Sequence, residues 1–84
     1  MLEAWMTLAD LQFKIKVLAN FQLNLKRSNG NISFEKLLIN QAKKVVFEID
    51  QAIHKKTVKS SDAIDLVKKY KLQKIMRLVR NDKN

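Results

Sequence analysis

The sequence predicts an all-α fold, a small antiparallel three-helix bundle, and three observations carry that reading. One Gly and no Pro in 84 residues leave long stretches without a breaker. Three segments repeat apolar residues at helical spacing. Residues suited to helix N-termini precede those segments.

The first helix is expected over about residues 7–27. Thr7 and Asp10 form a capping box, with Met6 and Leu11 at the flanking positions of a hydrophobic staple. Leu8, Leu11, Ile15, Leu18 and Leu25 mark one stripe, and Phe13, Val17 and Phe21 mark a second, away from it. A helix with two apolar stripes is buried on both sides or offers one to a partner. The same segment also alternates, with apolar residues at every odd position from Leu11 to Leu25. An α+β alternative therefore places a β-hairpin over residues 11–27, looped at Leu18-Ala19-Asn20. The capping box and the scarcity of β-branched residues favour the helix.

Ser28-Asn29-Gly30-Asn31 breaks the chain. The second helix is expected over 33–56, with Ser33 as N-cap and Ile32 and Leu37 as a staple. Its stripe of Leu38, Ala42, Val45, Val46, Ile49, Ala52 and Ile53 is the most regular in the chain. The third is expected over 62–80, capped by Asp62, with Asp65 in its first turn. Its two stripes conflict. Ala63, Leu66, Val67 and Tyr70 repeat nine residues later as Leu72, Ile75, Met76 and Val79, on the opposite side at about 100° per residue. Either the helix breaks near Lys71 or its halves face different neighbours. Residues 81–84 read as a frayed tail.

At this length one domain spans 1–84 and buries only about 60–65% of its unfolded surface. No Cys and a single His leave no disulfide or structural metal to staple it, and no cofactor is expected. No apolar run is long enough to span a bilayer, so integral membrane association is not expected. Glu3 stands where a secretory signal would carry a base, and a cytoplasmic location is the expectation.

An enzyme is not expected. His54 is the one candidate base, with Asp50 four residues before it on the same helix. No serine nucleophile, Gly-rich phosphate loop or metal-ligand spacing accompanies it. Charge carries the functional signal. Of the net +9, residues 55–84 hold +7, from ten basic and three acidic side chains.

Lys68, Lys69, Lys71, Lys74, Arg77 and Arg80 are the candidate nucleic-acid contacts, with Lys71, Lys74, Arg77 and Arg80 at three-residue spacing as a phosphate-tracking ridge. Residues 62–80 fit the helix-turn-helix pattern poorly, because Lys68 falls where that motif needs an apolar residue. The expected function is thus a small basic regulatory protein that contacts nucleic-acid phosphates. The alternative is an inhibitor, immunity-like or chaperone-type module. It would bind an acidic protein, or itself as a homo-oligomer, through Phe13, Val17 and Phe21. No motif residues select a family.

Overall fold

The computed structural model describes residues 6–81. Four helices make up its regular structure: α1 (Leu8–Arg27), α2 (Ile32–His54), α3 (Ser60–Lys69) and α4 (Gln73–Asn81). Of the expected frayed tail over 81–84, Asn81 belongs to α4 and residues 82–84 lie outside the described residues.

No strand occurs among the described residues, so the hairpin over 11–27 is not formed. Burial explains why the helical period wins. Leu11, Ile15 and Leu18 are 0%, 0% and 1% exposed. Spacings of four and three place them on one helical face, whereas alternation would turn Leu18 away from Leu11 and Ile15. Phe13, which alternation would bury beside Leu11, is 67% exposed. The Thr7 cap forms in full. Its hydroxyl accepts from the Asp10 backbone N–H at 3.2 Å, and the Asp10 carboxylate accepts from the Thr7 backbone N–H at 3.0 Å.

The expected Ser33 cap moves two residues upstream. Asn31 is the N-cap of α2, and its side-chain oxygen accepts from Ser33 N–H at 2.8 Å. Ile32 and Leu37 are consequently exposed and do not act as a staple. Asp62 likewise does not cap the third segment. Helix α3 starts at Ser60 behind Lys59, which supplies no side-chain cap, and Asp62 sits in the first turn as favourable charge.

Three helices end alike. After α1, α2 and α3, a residue with positive φ follows the C-cap: Asn29 (58°), Lys56 (63°) and Lys71 (57°). In each case the next N–H reaches back to a carbonyl of the last turn: Gly30 to Leu25, Thr57 to Ala52 and Leu72 to Val67, all at 3.0 Å. These are Schellman closures, which usually place Gly at the left-handed position. Two here use Lys instead.

The third expected helix is therefore broken at Tyr70–Leu72, and the three-helix count gives way to four. Packing energy accounts for the break. A left-handed Lys costs roughly 1–2 kcal/mol. Turning the chain there buries Leu72, Ile75, Met76 and Val79, each worth roughly 1.5–3 kcal/mol. A straight helix would leave that stripe in water.

One cluster of buried side chains runs through the fold. Helix α1 supplies Leu11, Ile15 and Leu18, and α2 supplies Leu38, Ala42, Val45, Val46, Ile49 and Ala52. The connecting residues Val58 and Leu72 also belong to it, while α3 contributes only Ala63 in full. Helices α1 and α2 run antiparallel, with Lys14 early in α1 ion-paired to Glu48 late in α2. Helix α2 also packs on α4, and α1 on α3. Helices α3 and α4 rest on different partners, so the seam between them stays open.

Candidate functional site

The open seam forms a groove of about 530 Å³. Its base is α2, through Ile49, Asp50 and Ile53. Residues Ser60, Ala63, Ile64, Val67 and Lys68 of α3 form one wall, and Gln73, Met76, Arg77, Arg80 and Asn81 of α4 form the other. The break at Lys71 creates this shape. It divides the last third of the chain into two short helices and brings Lys68 to the same groove as Arg77.

The six expected phosphate contacts are all exposed and are spread over α3, the turn after it and α4. Lys74, Arg77 and Arg80 lie on α4, while Lys71 lies in the turn before it. The Lys71 carbonyl accepts from the Gln22 side-chain amide at 3.3 Å, tying that turn to α1. Arg80 donates through both terminal nitrogens to Asp50 at 2.9 and 3.0 Å. Its charge is thereby largely offset. Lys69 lies 5.6 Å from the centre of the Tyr70 ring, and Tyr70 itself packs at the edge of the core. Neither Lys68 nor Arg77 has an ion-pair partner among the described residues.

The Arg80–Asp50 pair bears on the His54 reading as well. Both Asp50 oxygens face the guanidinium, so the carboxylate is not oriented on the imidazole. Among the described residues no three His, Asp or Glu side chains gather as a metal site. No helix of the described residues is long and apolar enough to cross a membrane.

The second expected surface is split. Phe13 and Val17 are exposed and, with Lys14, Leu18, Gln41, Val45 and Glu48, line a shallow depression between α1 and α2. Phe21 is half-buried and packs against the core. Each four-residue step turns a side chain by about 40°, so a stripe that starts in solvent at Phe13 has rotated to the core edge by Phe21.

Sequence reasoning named Arg77 and Lys68 but missed their apolar setting. Ile64 is 50% exposed on the α3 wall, off the stripe of Ala63, Leu66, Val67 and Tyr70, so periodicity passed over it. No protein-family model matches this sequence, and no curated protein or solved structure is significantly similar to it.

Proposed function

We propose that the chain is a cytoplasmic, non-catalytic binding protein that recognises an acidic protein through its last third. The observation that supports this reading is the mixed groove, with two unpaired cations at the margin of an apolar trough. Phosphate tracking calls for cations spaced along a path, with little use for apolar surface between them. Here Arg80 is already paired, Lys71 is set in a turn, and Ile53, Ile64 and Val67 line the same groove as Lys68 and Arg80. A protein partner uses both parts, burying the apolar centre and steering through the charged margin.

Fluorescence anisotropy tests the choice, with a labelled acidic polypeptide, duplex DNA, single-stranded DNA and RNA, each at about 50 and about 200 mM salt. The acidic polypeptide is expected to bind, with the nucleic acids markedly weaker. Tighter nucleic-acid binding, falling steeply with salt and lost in Lys74→Glu/Arg77→Glu, would replace this reading with the phosphate-binding one.

One observation favours a further contact surface. Phe13 presents most of its ring to solvent beside Val17, which suits self-association through α1. Sedimentation velocity on Phe13→Ser checks it. A wild-type dimer that becomes a monomer in the variant supports the contact, and a monomeric wild type removes it.

A further inference from the structure

We infer that the occupant of the α2–α3–α4 groove is an amphipathic helix of a partner protein, about ten residues long, with an apolar face flanked on both sides by carboxylates. This rests on the acidic-partner reading and specifies the form the partner takes. Three features of the groove select it.

The first is shape. The main packed pairs are α1–α2, α2–α4 and α1–α3; α3 and α4, which are not among them, line the same groove. A rod laid between them meets helices on three sides, the setting of helix-in-groove recognition. The α4 wall runs from Gln73 to Asn81 and the α3 wall from Ser60 to Lys68. At 1.5 Å per residue each wall is about 13 Å long, or some two and a half turns.

The second feature is polarity along the walls. Ile49 and Ile53 form the floor, and Ile64 and Val67 face them from α3. Anchors at i, i+3 or i+4, and i+7 of an incoming helix would meet this strip. An extended strand has no unpaired sheet edge to join here, since the described residues contain no strand.

Charge placement is the third. Arg77 and Arg80 are one helical turn apart on the α4 wall, and Lys68 lies near the α3–α4 turn. The α3 wall carries no acid among its lining residues, and the one carboxylate of the groove, Asp50, is held by Arg80. An incoming helix thus meets on each side one cation that is unpaired among the described residues, Arg77 from α4 and Lys68 from α3, which holds its apolar face toward the floor. A second copy of this chain is a poor occupant of this groove, because its eight Asp and Glu are outnumbered by seventeen Lys and Arg and match the groove cations poorly.

The test uses the full chain and synthetic peptides of about twelve residues. One carries Leu at i, i+3, i+4 and i+7 with Glu on both flanks of that face. The second has the same composition with the Leu positions scrambled, and the third has Lys in place of Glu. Anisotropy gives each affinity, and the scrambled and Lys peptides are expected to bind about tenfold or more weaker than the first. Ile64→Glu and Lys68→Glu/Arg77→Glu change exposed side chains, so circular dichroism should show the fold kept, with a similar loss of the first peptide. Phe13→Ser, outside the groove, should bind as wild type does.

If scrambled and patterned peptides bind equally, or Ile64→Glu leaves affinity unchanged, the helical occupant is wrong while the acidic-partner reading survives. If no acidic peptide binds and duplex DNA does, the reading itself fails. A wild-type dimer that Ile64→Glu dissociates would make a second copy the occupant and overturn the inference.

Discussion

Helices α1 and α2 differ from α3 and α4 in how much of their structure is written locally. The first pair has 20 and 23 residues, and both helices begin with a side-chain cap. The α2 stripe reads as helical without reference to the rest of the chain, while the α1 stripe shares its segment with an alternating pattern that the cap and the composition argue against. The second pair has 10 and 9 residues, no side-chain cap on α3, and a left-handed Lys between them. Isolated helices this short are marginal in water. They exist because the core receives one stripe from α4 and a few partly buried side chains from α3. The open seam follows from the same economy, since too few apolar residues remain on α3 to close it against α4.

That contrast breaks most readily in the core. Ile15→Ala, fully buried in α1, is expected to cost about 3 kcal/mol of global stability in urea unfolding. Val67→Ala, partly buried in α3, should cost only about 1 kcal/mol. Equal losses would mean that the two halves contribute alike. Hydrogen exchange sharpens the same point, because α3 amides should open at a lower free energy than those of α1 and α2.

Caps come next in size. Thr7→Ala should cost about 1 kcal/mol by removing the hydroxyl acceptor at the α1 N-terminus. The Thr7 backbone N–H, and then its hydroxyl, hold the Asp10 carboxyl below its ordinary pKa. The folded value is depressed, so this contribution is complete above the unfolded pKa and is lost as pH falls through the folded one. NMR titration of Asp10 should show its pKa rising in Thr7→Ala. In the second pair, Lys71→Gly is expected to stabilise by about 0.5–1 kcal/mol, since Gly takes positive φ without strain. Destabilisation by that change would show that the Lys71 side chain supports the turn.

The smallest effect is at Asp50. Its pair with Arg80 is about half exposed on both sides, so Asp50→Asn should cost no more than about 0.5–1 kcal/mol. It also frees Arg80 beside Arg77, and the patterned acidic peptide should then bind more tightly. Unchanged affinity would separate Arg80 from the binding surface.

Local chemistry determined much of this protein before any packing was considered. The Thr7–Asp10 box, the Asn29-Gly30 break and the stripe from Leu38 to Ala52 are each fixed by neighbours within a few residues, and all are legible in the sequence. The Asn31 and Lys59 boundaries were less so, because several adjacent residues suit a helix start and tertiary context chooses among them. Tertiary structure alone decided the rest. Nothing in Lys71 or Lys56 announces a left-handed turn, and the break near Lys71 follows from two apolar stripes on opposite sides competing for one core. The groove has the same origin. Lys68, Arg77, Ile53 and Ile64 come from three helices, and their proximity depends on which faces the core had already taken.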